Sequence, residues 1–225
     1  RTPSSAASDV YKRQIVRRAA GGEPFAALNE KTYEMQPGMI TIGDAEGVDD
    51  LAGVMGGERT GVSEATTDMF LEIAIFDPIS VATTGRKLNL HSDARYRFER
   101  GLDSESPVWA AGHVARLVTS ICGGEASVPV TAGPGADWQR SIFLAAGKVK
   151  ALSGMDVDAA EQARILEALG FTVTAADGGF DVAPPAWRGD IDGAADLVEE
   201  IARIRGFDHL PVSYTHLRAH ETSSN

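Results

Sequence analysis

The amino-acid sequence predicts an α+β fold in two parts: a central mixed α/β domain, truncated, followed by a small winged-helix-like α+β domain. Three observations predict it. Short apolar runs separated by Gly and Pro fill the opening stretch, as short strands and turns would. Ala132-Gly133-Pro134-Gly135 is the best linker candidate in the chain. Beyond it, two helical patterns, a hairpin pattern and a third helix follow within about eighty residues, the order of a compact α+β unit.

From Ile15 to Ile42 the chain reads as short strands, with Gly21-Gly22 and Pro37-Gly38 as punctuation and Met39–Ile42 as a strand. Leu51-Ala52-Gly53-Val54-Met55-Gly56-Gly57-Glu58 reads as a glycine-dense loop. It lacks the Gly-Lys-Ser/Thr of a P-loop and the spacing of a dinucleotide fingerprint. Three glycines permit close approach of a ligand or of another strand, but a tight structural turn is the commoner reason for such a run. Met69–Phe76 is a continuous apolar run, as a strand buried on both faces would show, with Glu72 at its centre. An unpaired buried carboxylate costs several kcal/mol, so Glu72 is expected at an edge, paired, or lining a pocket.

His91–Gly101 is a charged, arginine-rich connector. A helix is expected from a Ser106 cap and Pro107 to Gly123, with Val114, Leu117, Val118 and Ile121 on its inner face and Cys122 small and buried. In the second part, Ile142–Leu144 reads as a strand and Lys148–Leu152 as a short helix. Asp158–Leu169 reads as a helix stopped by Gly170. Phe171, Val173 and Ala175 alternate into a turn at Asp177-Gly178-Gly179, and Phe180 and Val182 return.

The last helix carries an acidic stripe. With Asp196 as origin, Glu200 falls about 40° to one side and Glu199 about 60° to the other, while Leu197, Ile201 and Ile204 face inward. Asp190 lies in the entering loop, and Asp190 or Asp192 is expected to cap the helix. Like charges at i, i+4 cost about 0.2–0.5 kcal/mol, so something should offset Asp196 and Glu200. The helix dipole is one candidate, and a magnesium or calcium ion held by oxygen ligands is another. A third is a simple pair between Glu199 and Arg203.

The chain has 225 residues, enough for one large or two modest domains, with 43% hydrophobic and 24% charged residues. Its formal charge of -11 opposes non-specific gripping of nucleic acid. The single cysteine excludes an internal disulfide, and no Cys/His cluster offers a zinc site. No apolar run is long enough for a membrane span, so no membrane role is expected and a reducing cytoplasm is the default compartment. Residues 1–14 and 212–225 resemble translated sequencing-adapter read-through and are set aside as non-native. The natural segment is then expected to run from Ile15 to Pro211, cut at both sides.

Two motifs together carry a family resemblance. Leu51-Ala52-Gly53-Val54-Met55-Gly56-Gly57-Glu58, with Leu71-Glu72 and Arg97-Phe98-Glu99-Arg100-Gly101-Leu102-Asp103, resembles the central domain of the bacterial phenylalanyl-tRNA synthetase beta subunit. Trp187-Arg188 through Asp196-Leu197-Val198-Glu199-Glu200-Ile201-Ala202-Arg203-Ile204 resembles that subunit's next domain. The resemblance implies a B3/B4-type tRNA-editing domain, its C-terminal part, over 15–131 and a B5 domain over 132–211. It implies a ligase that joins phenylalanine to tRNA(Phe) with ATP as a heterotetramer of two alpha and two beta subunits. The aminoacylation centre belongs to the alpha subunit, so no catalytic residue is expected here.

The resemblance also places functional residues. Glu72 would recognise the hydroxyl of tyrosine mischarged onto tRNA(Phe), and Ala52, Gly53 and Gly56 would form the backbone wall of that pocket. Ser92 falls where the family often has threonine. A histidine and a threonine-asparagine pair of the family pocket lie upstream of Ile15, so the segment is not expected to edit by itself. Asp190, Asp196, Glu199 and Glu200 fall on positions used for a magnesium ion shared with the alpha subunit, with Gly189 departing from the usual bulky residue. The alternative is a non-catalytic nucleic-acid-binding or subunit-interaction module.

Overall fold

A computed structural model describes residues 14–211 apart from residue 134. The set-aside ends, except Gln14, and one residue of the linker candidate lie outside the described residues. The chain divides into two compact units, 1–136 and 137–225.

The first unit is built on an antiparallel sheet of β1 (Ile15–Arg18), β4 (Ile40–Gly43), β5 (Val48–Leu51) and β6 (Met55–Gly56), in that spatial order. A second pair, β2 (Pro24–Ala26) and β3 (Thr32–Glu34), forms a hairpin. The expected glycine-dense loop is a tight hairpin turn: Leu51 pairs with Met55 and Asp50 with Gly56, with Ala52, Gly53 and Val54 between. Phe25, Met35, Leu51, Val54 and Leu90 are fully buried and form the centre of this unit's core with Val81. Helix α1 (Pro78–Lys87) starts at an Asp77 cap that accepts from Ser80 N at 2.8 Å.

Expectations fail in two segments of this unit. Met69–Phe76 forms no strand, and Met69, Phe70 and Leu71 are exposed. An apolar run does not by itself supply the partner strand that a β ladder requires. At its end the Phe76 ring lies 5.4 Å from that of Phe98 at the end of α2 (Asp93–Phe98). Helix α3 (Ser106–Cys122) is present and ends at Gly123 with φ 74°, but Ser106 does not cap it; Glu105 precedes the helix without a side-chain cap bond. No residue of α3 is fully buried, Leu117 and Ile121 of its expected inner face are exposed, and so is Cys122.

In the second unit, β7 (Ile142–Ala145), β9 (Gly179–Ala183) and β8 (Thr172–Ala176) make an antiparallel sheet in that order. Val173 lies opposite Val182 and Ala175 opposite Phe180, the register that the alternation predicts. Helix α4 (Lys148–Ser153), helix α5 (Ala159–Ala168) and helix α6 (Ala194–Arg205) accompany the sheet. Asp158 caps α5 by accepting from Glu161 N at 2.9 Å. Leu144, Val149, Leu166, Val182, Leu197 and Ile201 have no exposed surface and share one core. Ile204, expected inward, is 46% exposed. The cap of α6 is Gly193, not Asp190 or Asp192.

Candidate functional site

Strand β5 separates two acidic environments. Asp49 is buried, and the guanidinium of Arg59 holds it together with Asp44 and Glu46. Asp50 points to the opposite side, as strand alternation requires. There its Oδ2 lies 3.6 Å from the position a Cβ would take at Gly56, and Leu28 Cδ1 lies 3.1 Å from the same point. Glycine at 56 therefore lets Leu28 and Asp50 close in on the hairpin where a side chain would stand.

Glu72 lies close enough to Asp50 for their charges to interact. Burial, then Glu72, then Asp49 push the Asp50 carboxyl up to about 7. Glu72 is exposed at its surface, yet the protein around its carboxyl raises it as well. Among the described residues no hydrogen bond or salt bridge holds either carboxyl, whereas the three acids beside Arg59 are all paired. Of the alternatives for Glu72, the arrangement is that of a partly buried acid without a cation.

The other predicted pocket residues divide by position. Gly53 has φ 69°, and a Cβ there would press on Phe76 and Val81 at 3.0 Å and Phe98 at 3.1 Å. Gly53 is thus the point where the hairpin turn packs against the segment that carries Glu72. Ala52 is buried. Ser92 donates its hydroxyl to the Val54 carbonyl and accepts from Arg95 N at 3.0 Å, which ties the start of α2 to the same turn. A surface hollow of about 420 Å3 opens between His91, Ser92, Arg95, Tyr96 and Glu99, and neither Glu72 nor the glycines line it.

The acidic helix start of the second unit is already filled by cations. Arg188 grips Asp190 with two hydrogen bonds, 2.8 and 2.6 Å, and reaches Glu200 at 3.0 Å. Arg203 completes Glu200 at 2.6 Å, so the expected pair between Glu199 and Arg203 is replaced by one with Glu200. Hydrogen bonds from Arg188 are the main reason that both Asp190 and Glu200 lie below the usual carboxylate range. Asp196 accepts from Asp192 N at 2.9 Å and Gly193 N at 2.8 Å, the returning half of a capping box. Glu199 is exposed.

Arg188 thus occupies two of the four carboxylates named for magnesium, and no group of three or more metal-ligating side chains gathers among the described residues. As folded, this donor set does not fit a divalent ion. The arrangement can instead lock a loop onto a helix. Arg140 strengthens that lock by donating to the carbonyls of Ile191 at 2.6 Å and Arg188 at 2.8 Å.

Sequence reasoning missed Asp50, Arg140 and the role of Arg188. Only Arg188 left a local signal, standing two residues before Asp190. Arg140 lies about fifty residues from its acceptors, beyond any helical or strand periodicity.

Two family models match the chain, a B3/4 domain over residues 7–123 and a tRNA synthetase B5 domain over residues 142–207. The phenylalanine-tRNA ligase beta subunit of Paramagnetospirillum magneticum is 48% identical over 197 residues, 88% of this chain and 25% of the relative. That of Ruegeria pomeroyi is 47% identical over 195 residues, 87% of this chain and 24% of the relative. That of Nitrobacter winogradskyi is 44% identical over 207 residues, 92% of this chain and 26% of the relative. The chain thus spans about a quarter of the length of the curated relatives it matches.

Proposed function

The chain belongs to the phenylalanine-tRNA ligase beta-subunit family and carries its B3/4 and B5 domains in that order, and from this membership we propose that it serves a ligase charging tRNA(Phe) with phenylalanine at the expense of ATP. The whole enzyme works in the cytoplasm with an alpha subunit that holds the aminoacylation centre. Among the described residues no helix is long and apolar enough to cross a membrane. In this reading the first unit contributes part of a pocket that removes tyrosine from tRNA(Phe). A site shaped for phenylalanine rejects an added hydroxyl only modestly, so a second site must complete the discrimination.

One observation supports the pocket reading: the Glu72 carboxyl, raised by burial, has no cation partner among the described residues and lies near the equally unpaired Asp50. Such a group accepts a hydrogen bond from a phenol and gains nothing from a phenyl ring. Gly56 lets Leu28 approach the hairpin, Ala52 and Gly53 shape the turn, and Ser92 fixes that turn through Val54. Replacing Glu72 by alanine in the assembled enzyme, followed by hydrolysis of tyrosyl-tRNA(Phe), tests the reading: retained hydrolysis removes it.

For the second unit we propose a contact with the alpha subunit built on the Arg188 lock. Magnesium at Asp190, Asp196, Glu199 and Glu200 requires Arg188 to release two of those acids first. What supports the metal reading is the spacing of these four residues within the B5 match, not their arrangement.

A further inference from the structure

We propose that the hollow between α1 and the turn at Gly38 is a phosphate-binding site that takes a backbone phosphodiester of RNA. The inference rests on the reading above that the assembled enzyme handles tRNA(Phe), and it concerns a face of the first unit that neither motif touches.

The hollow, of about 190 Å3, opens between Arg18 at the end of β1, the turn Pro37-Gly38-Met39 before β4, and Ser80, Thr83, Thr84 and Lys87 of α1. These four positions of α1 recur at i, i+3, i+4 and i+7, so one helix face carries three hydroxyls and a cation and no acid. Thr84 is buried, yet it borders the hollow. On the opposite wall Arg18 Nη1 donates to the Gly38 carbonyl at 3.0 Å, and Gly38 N donates to the Ala19 carbonyl at 3.0 Å. The guanidinium is thereby held at the rim with donors to spare.

No carboxylate lines the hollow. In a chain of formal charge -11 that runs against the trend, since Arg17, Arg59, Arg95, Arg188 and Arg203 are each paired with an acid. Among the described residues no salt bridge engages Arg18 or Lys87. The Asp77 carboxyl is lowered first by hydrogen bonds from Ser80 and least by the charge of Arg18, and it does not border the hollow. Ser80 is thus committed to Asp77, whereas no hydrogen bond among the described residues engages the hydroxyl of Thr83 or Thr84. Two cations and two free hydroxyl donors on facing walls suit an anion whose oxygens point several ways, as those of a phosphate group do. The overall charge opposes bulk attraction to nucleic acid, so a contact here positions a strand more than it supplies affinity.

The test grafts residues 14–211 into the matching segment of the Paramagnetospirillum magneticum beta subunit, assembled with its alpha subunit, and measures the Kd for tRNA(Phe) by filter binding across a salt series. Parent, Lys87→Gln, Lys87→Arg and Lys31→Gln enzymes are compared. Lys87 and Lys31 are both exposed, so neither change disturbs the core, and Lys31 lies outside the hollow. The expected result for Lys87→Gln is binding weaker by about five- to eightfold at about 0.1 M salt, with a salt slope shallower by about 0.7–0.9, the share of one phosphate contact. Lys87→Arg and Lys31→Gln bind like the parent. If Lys87→Gln keeps the parent's Kd and slope, or if Lys31→Gln weakens binding as much, the site is overturned and the proposed function stands. Inorganic phosphate titrated onto the full chain at constant ionic strength, read by the amide shifts of Gly38 and Thr84, separates the two sources of the anion. Uptake of phosphate there, with tRNA binding unmoved by Lys87→Gln, would mark a site for free phosphate and overturn the RNA assignment. If the grafted parent does not bind tRNA(Phe), the proposed function itself fails, and this inference with it.

Discussion

Arg188 and Glu200, twelve positions apart, meet at 3.0 Å and join the loop before α6 to the buried acidic position of that helix. The Glu200 side chain is only 9% exposed, so it needs a charge partner more than any other acid in the stripe. This contact answers how one helix tolerates acids at i, i+4. Asp196 is spent on backbone N–H groups, and Glu200 on two guanidinium groups.

Replacing Arg188 by methionine keeps the packing over Phe171 and removes the charge. We expect the second unit to lose about 1–3 kcal/mol, since Glu200 then keeps only Arg203 and Asp190 is released. Urea unfolding of parent and variant measures this. The same lock sets a pH dependence. Asp190 and Glu200 are depressed in the folded state, so their contribution is present above the ordinary carboxylate range and lost as pH falls through the folded values. Acid melts of the Glu200→Gln variant should therefore show a flatter dependence below about pH 5 than the parent.

Magnesium should bind the chain poorly while Arg188 occupies Asp190 and Glu200. Calorimetric titration is expected to show no uptake below the millimolar range, and Arg188→Gln should strengthen uptake by about tenfold or more by unmasking two carboxylates. Micromolar binding by the parent would show that the ion pairs yield readily.

Gly53→Ala combines a left-handed φ with contacts at 3.0 Å on Phe76 and Val81. The expected cost is about 1–3 kcal/mol to the first unit, through strain and overpacking. Hydrogen exchange should localise the loosening to the turn and to the segment from Glu72 to Phe76.

Local chemistry made much of the second unit legible. Asp158 and Gly170 bracket α5 and Asp177-Gly178 turns the hairpin, each within a few residues of what it controls. The first unit was less legible where partners are distant. Met69–Phe76 has the composition of a buried strand, but composition does not provide the neighbour it would pair with. The candidate sites show the same division. Glu72 was marked by an acid in an apolar run, whereas Asp50 is visible only once β5 and β6 set it against Gly56. The acidic stripe was correctly placed on one helix, yet its partner Arg188 comes from outside the helix, and Arg140, which holds the Arg188 carbonyl, from 48 residues further upstream.

The most direct test of the central claim is hydrolysis of tyrosyl-tRNA(Phe) by the assembled enzyme with Glu72 replaced by alanine. The account predicts that hydrolysis falls by about tenfold or more while charging with phenylalanine continues, because the lost group meets only the mischarged hydroxyl. Hydrolysis at the parent rate, with charging intact, would contradict it.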